Sequence, residues 1–272
     1  MADEKPTNPI SAFGQELRAY RSREGMRLED LSPRLHLSPS MIGKIENGTR
    51  VASHNLAMAC DRIFSAPGTF LRLWRMSAER AVPSWFSPYF ELESIATRIH
   101  KWELRCIPGL LQTPDYARAV MRTGLPREAD DIIEENVNLR IDRQAILTKE
   151  FPPVTWFIID ESVLHRPFGG EYVMRKQVKR LTEFADLPNV VIQVMPFTAT
   201  DHPGMYGPLT VLEFDDSSPI GYAEGWGSGR LIENSTEVRN CLTCYDVIRA
   251  SALSASASLD LIKRSEGQNE VG

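Results

Sequence analysis

The sequence has few cysteines and no long apolar run, and both absences limit the class of protein it encodes. Four cysteines among 272 residues are too few and too scattered for a disulfide framework. No apolar run approaches the roughly 20 residues that cross a bilayer. The opening residues MADEKPTNPIS have no apolar stretch behind their charges. We therefore expect no signal peptide, no membrane association and a cytoplasmic protein.

The motifs of common enzyme and cofactor sites are also missing. Cys241 and Cys244 form a Cys-x-x-Cys pair, but no second Cys/His pair has metal-ligand spacing, so we interpret both as structural. The glycine-rich stretch YAEGWGSGR lacks GxGxxG and the lysine–serine pair of a P-loop. No nucleophile has an identifiable activating partner. We expect no metal, no cofactor, no catalytic residue and no enzymatic activity.

Two loops of the C-terminal half nevertheless carry residues that suit a binding surface. TATDHPGMYGP places Asp201, His202 and Tyr206 on a Gly/Pro loop, where they are candidates for a ligand or partner surface. Glu224 and Trp226 of YAEGWGSGR are candidates for lining a pocket. Plain loop architecture is the alternative for TATDHPGMYGP, and it stays open.

Charge is unevenly distributed along the chain. Residues 1–80 contain 12 Lys and Arg against 9 Asp and Glu, whereas the remainder contains 19 against 27. This distribution suits a protein with a slightly basic N-terminal module that binds a polyanion and an acidic second module that does not.

Residues 11–76 have apolar spacing typical of five short helices in a row. In the third, LSPSMIGKIENG, the spacing of Leu37, Ile42 and Ile45 turns Ser38, Ser40, Met41 and Lys44 outward. Ser38 is a suitable N-cap, Pro39 suits the first helical position, and Asn47-Gly48 supplies the stop. Since a tight turn joins the second and third helices, the pair has the helix-turn-helix arrangement, in which the second helix enters the major groove of DNA.

The stretch LEDLSPRLHLSPSMIGKIENGTR resembles the helix-turn-helix of phage-repressor-type (XRE-family) transcriptional regulators. The resemblance implies that the outward face meets DNA bases and that residues just past the helix meet phosphates. It also implies an Arg21–Glu46 ion pair that braces the domain. The implied DNA-binding residues are Ser38, Ser40, Met41, Lys44, Asn47, Thr49 and Arg50.

The sequence departs from that family pattern at two positions. Pro33 falls inside the second helix, which we expect it to shorten or distort. His36 stands where a glycine usually makes the turn, so we expect a left-handed backbone there. The alternative for residues 11–76 is a helical bundle used for protein contacts or dimerisation.

After a proline-containing break, the pattern changes to mixed helices and strands. ELESIATRIHKWE, YARAVMRTG and DDIIEENVNLRIDRQAILTK indicate helices. PVTWFIID, a helix and NVVIQVMPF predict a right-handed βαβ unit, and GPLTVLEF and PIGYAEG indicate further strands. We predict an α+β protein with an all-α five-helix helix-turn-helix domain and a mixed α/β domain whose small sheet contains the βαβ unit. The pattern leaves the strand order open.

The predicted boundaries follow from these changes of pattern. They are a disordered tail at 1–10, a DNA-binding domain at 11–76, a linker at 77–88, an α/β regulatory or interaction domain at 89–265 and a disordered tail at 266–272.

The remainder resembles the C-terminal domain of the actinobacterial WhiJ-like regulators, which follows an XRE-type head. The blocks that carry the resemblance are WELRCIPGLLQTPDYARAVM, DESVLHRPFGG, NVVIQVMPFTATDHPGMYGPLTVLEF and YAEGWGSG. It implies a transcriptional regulator, in some members paired with a small protein encoded next to it.

The sequence therefore predicts a sequence-specific regulator of transcription that binds double-stranded DNA as a homodimer, with the second domain dimerising or sensing a ligand or partner. The alternative is an antitoxin-like interaction protein that binds a small partner protein and uses DNA binding for autoregulation. An enzyme with a DNA-targeting head is the third hypothesis.

Overall fold

A computed structural model describes residues 9–81 and 86–268. Within these ranges the chain divides into two compact units. The first comprises residues 9–81 and 134–142, and the second comprises 86–133 and 143–268. Residues 1–8, 82–85 and 269–272, which include parts of the predicted tails and linker, lie outside the described residues.

The first unit contains the five predicted helices in the predicted order. They are α1 Pro9–Arg23, α2 Leu28–Leu35, α3 Pro39–Glu46, α4 His54–Ile63 and α5 Thr69–Ala81. Leu17, Leu31 and Ile42 are fully buried between them. Phe13 and Tyr20 of α1 both meet the ring of Phe70 on α5, with centroids 5.4 and 5.2 Å apart. Apolar spacing thus determines which side of each short helix faces the core.

The two departures from the family pattern are both visible in α2. The helix has only eight residues, and Pro33 lies inside it. His36 ends it in the left-handed region, with φ of 52°, which confirms the predicted conformation at the turn. Ser32 Oγ donates to the Leu37 carbonyl at 2.5 Å and so helps to hold the turn together.

The second unit is a six-stranded mixed sheet with helices. Its helices are α6 Ser87–Ile95, α7 Pro114–Gly124, α9 Glu171–Ala185, α10 Ser235–Ser251 and α11 Ala255–Gln268, and α8 Asp130–Arg143 contributes residues to both units. Its strands are β1 Arg98–Glu103, β2 Val154–Asp160, β3 Val190–Met195, β4 Leu209–Glu213, β5 Ile220–Gly225 and β6 Ser228–Ile232. Four short 3-10 turns lie at Gly109–Leu111, Gln144–Thr148, Glu161–Leu164 and Pro203–Tyr206.

The strands lie in the order β3-β2-β1-β4-β5-β6. β1, β2 and β3 are parallel, with Thr155 of β2 paired to Ile99 and Val190. β4, β5 and β6 continue the sheet as antiparallel neighbours. The predicted βαβ unit is confirmed as β2-α9-β3, and the α+β fold class is confirmed with it.

The sequence-based interpretation was wrong for β1 and missed β6. The sequence pattern predicts a helical stretch for RIHKWE, yet this segment forms a strand in the interior of the sheet, hydrogen-bonded on both sides. Lys101 and Glu103 of this strand are buried, which hides the usual alternation of apolar and polar residues. β6 follows β5 through the two-residue turn Trp226-Gly227, and its serine and glycine residues resemble a loop.

The two faces of the sheet are covered differently. One face carries Ile99, Phe157 and Leu212 and packs with residues of α6, α7, α9 and α11. The other face carries Trp102 and Ile158 and packs against α10. No described helix is both long and apolar enough to cross a membrane.

Candidate nucleic-acid interface

Helix α3 begins and ends where its sequence dictates. Ser38 has extended backbone, and its Oγ accepts a hydrogen bond from the Met41 N–H at 3.2 Å. Pro39 takes the first helical position, where a missing N–H costs nothing. Gly48, with φ of 70°, ends the last turn by donating to the Ile45 carbonyl. A side-chain cap thus begins this two-turn helix, and backbone hydrogen bonds end it.

The two sides of α3 differ in exposure. Ile42 and Ile45 are buried in the first unit. Ser40 and Lys44 are exposed, and neither side chain makes a hydrogen bond within the described residues. Met41 is half-buried at the edge of this face. We call Ser38, Ser40, Met41 and Lys44 the α3 outer face.

Glu46, at the end of α3, is held by two arginines of α1. Arg21 donates from Nε to Oε1 at 2.6 Å and from Nη2 to Oε2 at 2.8 Å, and Arg18 Nε donates to Oε2 at 3.2 Å. The Glu46 side chain is only 2% exposed. Burial raises the pKa of Glu46, but the hydrogen bonds from the two arginines outweigh burial and hold the pKa below its usual value. Arg21 Nη1 also donates to the Met26 carbonyl, so one guanidinium ties α1, α3 and the turn before α2.

Close approach of the backbones fixes the position of α3 further. Gly14 of α1 lies against the end of α3, and a Cβ placed there would be 2.8 Å from the Glu46 carbonyl oxygen. Only a residue without a side chain allows this approach.

The remaining predicted DNA-binding residues lie near the α3 outer face and have partners within the protein. Ser38 caps the helix, as described above. Asn47 Oδ1 accepts from Arg18 Nη2 at 2.5 Å, and Thr49 Oγ1 donates to the Lys44 carbonyl at 3.0 Å. Arg50 Nη2 lies 3.2 Å from Asp142 Oδ1, a residue of α8 that belongs to the same unit. All seven predicted residues therefore lie on one continuous stretch that runs over α3 and the loop after it.

The loop with Asp201, His202 and Tyr206 precedes β4 and forms a 3-10 turn. His202 accepts from the Gly204 N–H through Nδ1 at 3.1 Å, and its ring meets Trp102 edge-on at 5.7 Å. Trp102 Nε1 donates to the Gly204 carbonyl, which ties the turn to β1. Asp201 is exposed, and Tyr206 is 98% exposed. His202 thus has a structural partner, whereas Tyr206 projects from the surface.

Glu224 and Trp226 lie at the same end of the sheet, because Leu209 at the start of β4 pairs with Ala223 of β5. Glu224 accepts from Arg105 Nη2 at 2.7 Å. Burial raises the pKa of Glu224, but Lys101 and Arg105 outweigh burial and lower it. Trp226 is fully exposed at the tip of the β5–β6 hairpin.

Cys241 and Cys244 lie on α10 as free thiols. Cys241 Sγ faces Gly221 of β5, and burial raises the pKa of this thiol. In the described part of the chain, no three His, Cys, Asp or Glu residues are grouped so as to hold a metal ion.

Two residues at the interface were missed by sequence reasoning. Arg18 lies three residues before Arg21, so helical spacing offered a signal for its contact with Glu46. Asp142 lies 92 residues from Arg50 in sequence, and no local pattern links them.

The comparisons with known proteins divide the chain at nearly the same position, except that residues 134–142 of the first unit fall within the second match. A family model described as a helix-turn-helix domain matches residues 12–74. Another, described as a domain of unknown function (DUF5753), matches residues 86–264. Comparisons with curated proteins and with solved structures gave no match. Because the second match covers about two thirds of the chain, the protein belongs to the DUF5753 family, with a helix-turn-helix domain preceding that domain.

Proposed function

We propose that this protein is a sequence-specific DNA-binding regulator of transcription, of the XRE type and the WhiJ-like group. The observation that carries the proposal is the α3 outer face. Exposed Ser40 and Lys44 side chains project from a helix that buried Ile42 and Ile45 fix in place.

The chemistry of this face suits the major groove of double-stranded DNA. A lysine ammonium can donate to guanine O6 and N7, and serine hydroxyls can donate to or accept from several base edges. Asn47, Thr49 and Arg50 follow the helix, where phosphate contacts position a domain without reading sequence. The buried Glu46 and its two arginines keep the reading helix from shifting when it binds.

The regulator would bind as a homodimer, since one helix-turn-helix contacts only one half-site and paired half-sites lie one helical turn apart. We assign dimerisation, or the sensing of a ligand or partner, to the second unit and no catalytic step to either unit.

Fluorescence anisotropy tests the proposal with two duplexes of equal length, one from the gene's own upstream region and one scrambled. A preference for the native duplex that survives physiological salt is the expected result. Equal and steeply salt-dependent binding of both duplexes would indicate electrostatic attraction without sequence reading and would contradict the proposal.

A second function, an antitoxin-like role, is favoured by exposed side chains at one end of the sheet. Met205, Tyr206 and Trp226 are largely or fully exposed there, and aromatic and methionine side chains are enriched at protein interfaces. The small product of a neighbouring gene is the proposed partner. Replacing Tyr206 and Trp226 together by alanine should abolish its co-purification and leave DNA binding intact. Unchanged co-purification would contradict this role for the surface.

A further inference from the structure

Arg50 is held by a carboxylate that comes from a distant part of the sequence. Its Nη2 lies 3.2 Å from Asp142 Oδ1, and the two side chains are 27% and 25% exposed. Asp142 lies near the end of α8, inside the stretch matched by the DUF5753 model, yet it packs in the same compact unit as the helix-turn-helix.

We propose that Asp142 competes with DNA phosphate for Arg50, so that α8 sets the affinity of the helix-turn-helix unit for DNA. This inference rests on the proposed function and adds a regulatory contact to it. In the free protein the Asp142 carboxylate accepts a hydrogen bond from the Arg50 guanidinium. When DNA binds, a backbone phosphate accepts from Arg50 instead.

The geometry of the pair favours such an exchange. Carboxylates and phosphates bind the same edge of a guanidinium, most strongly through two parallel hydrogen bonds. The Arg50–Asp142 pair has a single contact, and its 3.2 Å is longer than the about 2.7–2.9 Å typical of charge-assisted hydrogen bonds. A phosphate that accepts two hydrogen bonds from Arg50 would therefore bind it more strongly than Asp142 does.

The negative charge of Asp142 and its surroundings makes the transfer of Arg50 to a DNA phosphate less favourable. The segment from Glu134 to Asp142 carries three carboxylates and one arginine, so it repels DNA phosphates. Burial raises the pKa of Asp142, and the neighbouring Arg50 only partly opposes this rise. A partly buried carboxylate that loses its arginine to DNA is left with less compensation. Removing the carboxylate should therefore strengthen DNA binding.

The test measures binding of the full chain to the native and scrambled upstream duplexes by anisotropy, across a salt series. Asp142→Asn should bind both duplexes about three- to tenfold more tightly at 0.1 M salt, because the competing carboxylate acts on a phosphate contact that carries no sequence information. The logarithmic salt slope should stay nearly unchanged, because Arg50 contacts a phosphate in the complex of either protein.

Two further variants separate this contact from a general charge effect. In an Arg50→Ala background, Asp142→Asn should tighten binding much less, because the group for which it competes is gone and only its screened repulsion of phosphates remains. Asp246→Asn is a matched control, since it removes a carboxylate from a comparable Arg249–Asp246 pair on α10. It should leave DNA affinity unchanged.

Unchanged affinity of Asp142→Asn, or equal tightening in the Arg50→Ala background or in Asp246→Asn, would overturn the inference while leaving a DNA-binding protein. Absence of DNA binding in every folded variant, including the wild type, would overturn both this inference and the proposed function. Thermal unfolding of each variant establishes folding, and Asp142→Ser replaces Asp142→Asn if the latter does not fold.

Discussion

Arg21 and Glu46 form a two-point ion pair between α1 and α3, with donor–acceptor distances of 2.6 and 2.8 Å. The carboxylate is almost completely buried, and the arginine is 15% exposed. The net contribution of such a pair to the free energy of folding is small. Removing one partner is strongly destabilising, however, because the other is left as a buried, unpaired charge.

Replacing Arg21 by alanine should lower the free energy of unfolding by about 3 kcal/mol at pH 7. Arg18 would remain near Glu46, but its side chain is 53% exposed and makes only one hydrogen bond to it. Urea unfolding measures the loss. Arg34→Ala on the exposed side of α2 is the control and should change the free energy by less than about 0.5 kcal/mol. A loss for Arg21→Ala no larger than that of the control would contradict the bracing role.

The stability contributed by Glu46 should depend on pH in one direction. Its pKa in the folded protein lies below the usual value of 4.5, so ionised Glu46 stabilises the fold above about pH 4.5. This contribution is lost as the pH falls through the folded-state pKa. The difference in free energy of unfolding between wild type and Glu46→Gln should therefore shrink between pH 6 and pH 3. Measured by urea unfolding, a difference that stays constant or grows on acidification would disprove this.

The close contact between α1 and α3 can be probed with two glycines. Gly14→Ala places a methyl group against the backbone of Glu46 and should cost about 2 kcal/mol of stability. Gly43→Ala on α3 places its methyl 3.8 Å from Leu28 Cδ1, an ordinary contact, and should stabilise the helix by up to about 1 kcal/mol. Thermal unfolding distinguishes the two variants. Similar melting temperatures would show that α1 and α3 are not in close contact in solution.

Lys44→Ala should reduce the preference for the native duplex over the scrambled one by about tenfold, if Lys44 reads a base edge. Ser40→Ala should act in the same direction with a smaller effect. Anisotropy with both duplexes measures the ratio of affinities, and Arg62→Ala, an exposed charge loss on α4, serves as the control. Equal weakening on both duplexes would make Lys44 a phosphate contact instead.

The helix-turn-helix unit could be predicted from the sequence because the residues that indicate it lie close together in the chain. A cap at Ser38, a proline at position 39, a stop at Gly48 and apolar residues at helical spacing all lie within a dozen residues. The same spacing assigned Ile42 and Ile45 to the core and the serines and lysine to the surface.

The interior strands of the sheet were harder to predict from the sequence. β1 carries buried Lys101 and Glu103, which local patterns assign to a solvated helix. Their burial depends in part on distant residues. Lys101 Nζ donates to Thr210, and Arg105, which pairs with Glu103, also pairs with Glu224. A strand whose polar side chains are satisfied by other elements has no recognisable pattern of its own.

The sequence by itself determined the five helices and the orientation of the α3 outer face, because each rests on residues within a few helical turns. It also determined the β2-α9-β3 unit, because each of its three elements has a local pattern and strand, helix and strand in succession favour a parallel pair. The tertiary structure alone decided the strand order, the place of β1 within the sheet and the meeting of Arg50 with Asp142. Those features depend on hydrogen bonds and charges that join residues separated by tens of positions, and such pairings leave no periodic trace along the chain.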